Sequence, residues 1–304
     1  MTDLDLLVVG DCNPDLVLSG GDVVPRFSQV EQLVDEAELV IGGSASILAC
    51  GAARLGLRVA LASVVGDDVF GRFMLEALAA RGVEITPIAV SETTPTGLSV
   101  ILAQGDDRAI LTRLGTIDAV SAANVPRELI ARARHVHVSP YFLLRDLIPH
   151  VPQLFRTAHE LGATTSLDTN WDPSELWQLD DVLEHTDVLL PNASEAVHIA
   201  RASSLTSATR HLRERVGTIA LKLGADGAEA HRGEEHAHAR APAVDVVDAV
   251  GAGDSFGAGF LAGILNGATL QDALTLAVAC GSLSTRAAGG TAAQATLDEA
   301  LAGS

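Results

Sequence analysis

Asp248-Ala249-Val250-Gly251-Ala252-Gly253-Asp254-Ser255-Phe256-Gly257-Ala258-Gly259-Phe260 is the stretch on which the reading of this chain turns. Small residues at 251–253, then an acid, a hydroxyl residue and an apolar run predict a tight turn feeding a helix that starts near Asp254. Such a turn leaves main-chain N–H groups exposed at the positive end of the helix dipole, where an anion such as phosphate binds. A carboxylate there is misplaced for holding phosphate but well placed to take a proton from a hydroxyl that attacks one. The competing reading makes Asp254 only an N-cap and the glycines only a device for close helix packing.

Working outward, Asp248 on the near side and a second Gly-rich segment, Ile41-Gly42-Gly43-Ser44-Ala45-Ser46, weigh against the competing reading. The stretch resembles the C-terminal signature of the ribokinase-like PfkB carbohydrate kinases, D-T-x-G-A-G-D-x-F, and departs from it at Ala249, where a hydroxyl residue is commoner. The resemblance implies that Asp254 is the catalytic base and that Gly251, Ala252 and Gly253 form the anion hole. The Gly42-Gly43 segment, running on to Ala53-Arg54-Leu55-Gly56, resembles the N-terminal signature of the same family. Where that signature usually has a sugar-binding Asn, this chain has Ile47. A site that loses a hydroxyl-reading amide changes its substrate choice, so an acceptor other than plain ribose or fructose is expected.

A length of 304 residues, 48% of them hydrophobic, is enough for one large α/β domain. The net charge of −19 argues against a nucleic-acid partner, because phosphate backbones are bound by clustered Lys and Arg. Lys222 is the only lysine; with no G-x-x-x-x-G-K-[ST] around it, a P-loop kinase is excluded, and no H-R-D and D-F-G set supports a protein kinase. Cys12, Cys50 and Cys280 are isolated and read as reduced thiols. The acidic N-terminus lacks the features of a signal peptide, and no apolar run reaches membrane-span length, so a cytoplasmic protein with no membrane partner is expected.

Residues 4–9 read as a buried parallel strand ending at Gly10-Asp11, the end of such strands where ligands bind. Asn13 and Asp15 then alternate onto one side, an amide and a carboxylate able to bind polyol hydroxyls, or simply an Asx-rich turn. In the family resembled, the Asn and Asp of G-x-x-N-x-D contact the sugar, which with Gly42 and Gly43 gives the substrate-binding set. Residues 47–55 read as a helix closed by Gly56, 58–65 as a strand, and 69–81 as a helix for which an N-cap accounts for Asp67 and Asp68. Alternating runs at 97–103 and 108–114 around Gln104-Gly105-Asp106-Asp107 predict a hairpin. With residues 17–40 it would form a four-stranded flap, matching the sugar-covering lid of the family (about 12–40 and 95–115), which is often also the dimer interface.

Past residue 120, regular alternation of strands (135–139, 164–168, 187–191, 218–223) and helices (145–161, 193–202, 207–216) signals βαβ units. Asp168-Thr169-Asn170 matches the family's D-x-N near substrate and metal. Asn192-Ala193-Ser194-Glu195 fits a capping box, and it also resembles the N-x-x-E motif that organises Mg²⁺ and the triphosphate. Lys222, Gly224 and Gly227 match the ATP-proximal G-x-x-G; a plain turn before a hairpin fits them equally. His231, Glu234, Glu235, His236 and His238 suggest metal ligands, but the local composition suits an exposed hairpin tip. Helices at 254–265 and 270–286 follow, the first with a small-residue face for tight packing. In the family a loop near 287–290 supplies a monovalent cation site beside the residue that is Asp248 here, which implies a role for K⁺.

The expected fold is a ribokinase-like three-layer α/β/α sandwich over residues 1–304, with a central mostly parallel sheet and a small β-sheet lid. The expected function is an ATP- and Mg²⁺-dependent sugar kinase, a homodimer through its lid, phosphorylating a hydroxymethyl or other alcohol group. ATP binding falls to Asn192, Lys222, Gly224, Gly227, Gly251 and Gly253, and metal binding to Glu195 and Asp248. Arg108 or Arg113 on the flap offers a cation for an acceptor phosphate, leaving sugar and sugar phosphate both open. The alternatives are a nucleoside kinase, against which 3% aromatic residues weigh, and a sugar or nucleotide sensor without turnover, suggested by Ile47 and Ala249.

Overall fold

The computed structural model describes residues 2–104 and 107–303. Its first half runs β1 (Leu4–Gly10), β2 (Pro14–Ser19), β3 (Glu36–Ile41), α1 (Ser44–Arg54), β4 (Val59–Gly66), α2 (Val69–Ala80), β5 (Ile88–Ser91), β6 (Leu98–Gln104) and β7 (Asp107–Arg113). The second half runs α3 (Arg127–Ile130), β8 (Ala133–Ser139), α4 (Val151–Glu160), β9 (Thr164–Leu167), α5 (Asp180–Leu183), β10 (Val188–Leu189), α6 (Ala193–Ile199), α7 (Leu205–Arg213), β11 (Thr218–Lys222), β12 (Ala228–Arg232), β13 (Glu235–Ala239), α8 (Ala252–Leu265), α9 (Leu270–Ser284) and α10 (Leu297–Ala302).

The large sheet has the order β13-β12-β11-β10-β9-β8-β1-β4-β5, parallel from β5 to β11, with β12 and β13 added antiparallel as an edge hairpin. Both faces are covered. Leu7 and Val9 of β1 enter the core under α3–α7, while Leu6 and Val8 enter the core under α1, α2, α8 and α9. That two-sided burial is why the strand reads as an unbroken apolar run rather than an alternation. The second sheet, β3-β2-β6-β7, is joined by the parallel pairing of β2 with β6. It thus unites the two segments expected to form the flap, and the tip of their hairpin at 105–106 lies outside the described residues.

Several boundaries move for identifiable reasons. α1 begins at Ser44, three residues before the expected start, because Gly43 takes φ 77° as its N-cap and the Ala45 N–H is capped at 2.8 Å by Asp11, 34 residues upstream. A cap from so far away leaves no local signal. α8 begins at Ala252, with Gly251 as N-cap in the left-handed region (φ 70°) and Asp254 in the first turn. The expected helix start at Asp254 is therefore corrected by two residues, and Asp254 is not the cap. α4 starts at Val151 rather than 145, preceded by a short 3-10 turn containing Pro149. Strand β10 shrinks to two residues, and β5 and α10 were not anticipated.

α8 is held rigidly by the small face read from the sequence. A Cβ on Gly259 or Gly263 would stand 2.8 or 2.7 Å from the Cα of Ala277 or Ala273 on α9, closer than real Cβ atoms approach. Backbone-to-backbone contact of this kind fixes the helix, and with it the turn at its N-terminus.

Candidate active site

The turn at 251–254 is the wall between two clefts. On one side lies a cleft of about 510 Å³, lined mainly by apolar atoms and including Lys222, Gly224, Gly227, Ala252, Gly253 and Thr285. On the other lies one of about 240 Å³ that includes Asp11, Asn13, Asp15, Gly43, Arg108 and Asp254. Asp254 faces the second, and Ala252 and Gly253 face the first. Ala252 N donates to the Ala249 carbonyl at a long 3.4 Å, and the other leading N–H groups of α8 have no intrahelical acceptors where the clefts meet.

Gly251 must be glycine on two counts. Its φ of 70° disfavours any side chain, and an added Cβ would lie 2.7 Å from the Cα of Gly290 and 2.9 Å from Ile47 Cγ2. Ile47 therefore occupies the expected amide position in the second cleft, and its bulk is accommodated by glycines at 251 and 290.

The second cleft is lined by buried polar groups. Asn13 Oδ1 is buried and has no hydrogen-bond partner among the described residues, while its Nδ2 faces the Pro14 carbonyl at 3.3 Å and Asp15 Oδ1 at 3.5 Å. A buried acceptor left unpaired is costly, and one aimed into a cleft is a place for a ligand O–H. Gly42 and Gly43 act from behind: a Cβ at 42 would collide with the Asp15 carboxylate at 2.0 Å, and one at 43 would press on Asn13 and Asp11 at 3.0 Å. Burial pushes the pKa of Asp11 and of Asp15 up to about 7, with Asp15 adding to the shift of Asp11 and Asp248 to that of Asp15. The strands of the small sheet contribute Ser99, Ile101, Arg108, Ile110 and Thr112 to the same cleft. Arg113, the other flap arginine, is not among its lining residues.

Asp254 stands well above the ordinary carboxylate range because of burial first and the Asp168 charge second, with Lys222 and a hydrogen bond to Ser44 working against the shift. A carboxylate with a raised pKa is a better proton acceptor than an ordinary one, provided the pH keeps it ionised. Lys222 donates to Asp168 Oδ2 at 2.7 Å. Burial works against its charge, but Asp168, Glu195 and Asp254 outweigh that and hold its pKa above the ordinary lysine value. Its ammonium reaches to 3.5 Å from where a Gly253 side chain would begin, which puts a fixed positive charge beside the amide turn. The Lys222–Asp168 pair was not anticipated, and neither was the hydrogen bond from Asn170 Nδ2 to Ser44 Oγ at 2.7 Å that closes the floor of the cleft. The available signal was that the sole lysine sits at the C-terminal end of a parallel strand.

Asn192 and Glu195 form the capping box: Asn192 N donates to Glu195 Oε2 at 2.8 Å and Glu195 N to Asn192 Oδ1 at 2.9 Å. Glu195 also joins the Lys222 and Asp168 group, its pKa raised by burial despite the lysine. Asp168 and Glu195, two oxygen-donor side chains beside the Lys222 ammonium, fit a hard cation such as Mg²⁺, which prefers oxygen and retains waters. Asp248 lies apart from them. Its Oδ1 accepts from Val250 N and its Oδ2 from Gly289 N, both at 2.9 Å, and Arg108 supplies the adjacent positive charge at 3.6 Å. Both oxygens of Asp248 thus hold main-chain N–H groups of the turn and of the 289 loop, and no step is assigned to K⁺. The expectation of an exposed, solvated cluster at 231–238 holds for Glu234 and Glu235, but His231 is buried, which corrects it.

The model of the pfkB family carbohydrate kinases matches residues 3–297. The 2-dehydro-3-deoxygluconokinase of Bacillus subtilis is 33% identical over 268 residues, 82% of each chain. The ATP-dependent ribose-1-phosphate kinase of Halopiger xanaduensis is 31% identical over 285 residues, 88% of this chain and 90% of that one. Among solved structures, an Escherichia coli protein provisionally called ribokinase II, in complex with ATP and Mg²⁺, superposes with a TM-score of 0.86 at 25% identity over 98% of both chains. No helix among the described residues is long and apolar enough to cross a membrane. With an amide turn and a carboxylate between two clefts, and a family match over nearly its whole length, the chain belongs to the pfkB carbohydrate kinases and is a phosphotransferase acting on a sugar hydroxyl.

Proposed function

We propose that the protein transfers the γ-phosphoryl group of ATP to a terminal hydroxymethyl of a small acidic sugar. The observation that carries this reading is the placement of Asp254 on the acceptor side, and of the 252–253 amides on the donor side, of one turn. Asp254 takes the acceptor proton, the freed oxygen attacks phosphorus, and the bond to the β–γ bridging oxygen breaks, with ADP as leaving group. The N–H groups of Gly251 to Gly253 and the Lys222 ammonium face the charge on the transferring group. Gly224 and Gly227 leave the nucleotide-side loop open to the cleft, and Asn192 stands behind it. Mg²⁺, when bound, neutralises triphosphate charge, and Glu195 with Asp168 is the group suited to hold it, partly through water.

Asn13 and Asp15 read acceptor hydroxyls, and the small sheet acts as a lid that excludes water. The exposed Leu111 of β7, with the exposed Phe27 and Leu33 in the connection between β2 and β3, supports a homodimer through that sheet. The acidic acceptor class is favoured by Arg108, the cation brought by β7 into a cleft that otherwise presents three aspartates, and by the two relatives, whose names give as substrates a gluconate derivative and a sugar phosphate. Against a nucleoside acceptor stands the absence of any aromatic residue among those lining the cleft, which leaves nothing on which a base could stack.

The test is an ADP-release assay with product identification across neutral aldoses and ketoses, sugar acids, sugar phosphates and nucleosides. A kcat/KM for one acidic sugar at least about tenfold above that for neutral sugars is expected. Preference for a nucleoside, or ADP release unaffected by any acceptor, contradicts the proposal.

A further inference from the structure

The edge hairpin carries a feature that phosphoryl transfer does not use. His231 of β12 pairs directly with His236 of β13, and Glu229 lies two residues before His231, so all three side chains share one face of the hairpin. The alternate residues Ala228, Ala230, Ala237 and Ala239 turn to the opposite face and pack against α8 and α9. The two imidazoles stack with ring centres 4.6 Å apart. Glu229 Oε2 is 3.7 Å from His231 Nε2 and 3.9 Å from His236 Nε2, and one ligand atom from each residue falls within 4.8 Å of the others.

Two of these observations point to a ligand. His231 is only 9% exposed, yet neither of its ring nitrogens has a partner at hydrogen-bond distance among the described residues. A buried imidazole with both nitrogens unpaired is expensive, and an ion can satisfy it. The spacing is within reach of one. Nitrogen and oxygen ligands at about 2.0–2.2 Å from a tetrahedral ion stand roughly 3.3–3.6 Å apart, so the Glu229 contacts close with a shift of a few tenths of an ångström, while the ligand atoms, now within 4.8 Å of one another, converge once the exposed His236 ring turns out of its stack. His236, with its side chain 53% exposed on the edge strand, provides the way in.

We infer that Glu229, His231 and His236 form a binding site for a borderline late transition-metal dication such as Zn²⁺, two imidazoles and a carboxylate leaving a fourth position to water. Mg²⁺ is the wrong ion for such nitrogen donors. The site lies on the outer face of the hairpin whose base residues, Gly227 and Ala241, line the donor cleft. Its bound ion staples β12 to β13 at the open edge of the sheet. This inference does not depend on which sugar is phosphorylated, or on the catalytic assignment.

Tag-free full-length protein, stripped with chelator, is titrated calorimetrically with Zn²⁺, and separately with Co²⁺ while its visible absorption is followed. One equivalent of Zn²⁺ with a rise in melting temperature, and a Co²⁺ spectrum of a four- or five-coordinate ion, are expected. His236→Ala, on the exposed strand where folding is not at stake, and Glu229→Gln should each weaken Zn²⁺ at least about tenfold and alter the Co²⁺ bands, while phosphoryl transfer in excess Mg²⁺ stays within about twofold of the parent. His231→Gln should weaken Zn²⁺ similarly if it folds, and the other two variants decide the matter if it does not. Absence of Zn²⁺ binding, or binding with unchanged affinity in both His236→Ala and Glu229→Gln, overturns the site.

Discussion

The two clefts that meet at the 251–254 turn differ in kind. The donor side presents glycine, alanine, proline and valine atoms and one lysine, whereas the acceptor side presents Asp11, Asp15, Asp254, the unpaired Asn13 carbonyl and Arg108. In the proposed mechanism the first recognises its ligand through main-chain donors and shape, which tolerate side-chain change. The second recognises through buried ionisable groups held away from water at a cost in stability, so small changes there shift specificity and pH behaviour together.

The largest expected effect is at the seam. Asp254→Asn keeps the size and the polar contact but removes the proton acceptor, so kcat should fall by about 10³–10⁴ while nucleotide affinity stays within a few-fold. Next comes Gly251→Ala, which places a Cβ against Gly290 and Ile47 at a left-handed backbone position. It should cost about 2–3 kcal/mol in denaturant unfolding and lower kcat by roughly 10²-fold, because the amide turn must shift. Arg108→Gln tests the acceptor side alone: KM for an acidic sugar should rise by about tenfold with kcat nearly constant, and KM for a neutral sugar should hardly move.

The smallest effect is one of stability. Asp15 has a pKa near 7 in the folded protein against about 3.9 unfolded, so the folded state binds the extra proton between about pH 4 and 7, and its stability falls across that window as pH rises. Asp15→Asn removes this dependence. At pH 8 the variant should unfold about 1–2 kcal/mol later than the parent, with the difference closing toward pH 4. A gain that persisted unchanged at pH 4 would mean that Asp15 carries no such buried charge.

Legibility in the sequence followed the same division. Elements with their own local code were readable: the apolar run of β1, the G-A-G turn, the Asn192–Glu195 box and the small face of α8. The joining of 14–19 with 98–104 into one sheet followed from the resemblance and from alternation. What could not be read depends on partners distant in the chain. Asp11 caps α1 across 34 residues, Lys222 finds Asp168 across 54, and Asp248 pins Gly289 across 41. Nor does periodicity reveal that a histidine in a polar hairpin tip is buried without a partner, as His231 is, since only the assembled sheet sets its exposure.

The central claim is that one turn serves both clefts, its amides toward the nucleotide and its carboxylate toward the acceptor. A crystal structure with a non-hydrolysable ATP analogue and the preferred acceptor tests it most directly. The account predicts the terminal phosphate on the N–H groups of residues 251–253 and the acceptor hydroxyl within about 3.2 Å of Asp254. A terminal phosphate bound away from that turn, or a hydroxyl paired with a different residue while Asp254 faces neither ligand, would contradict it.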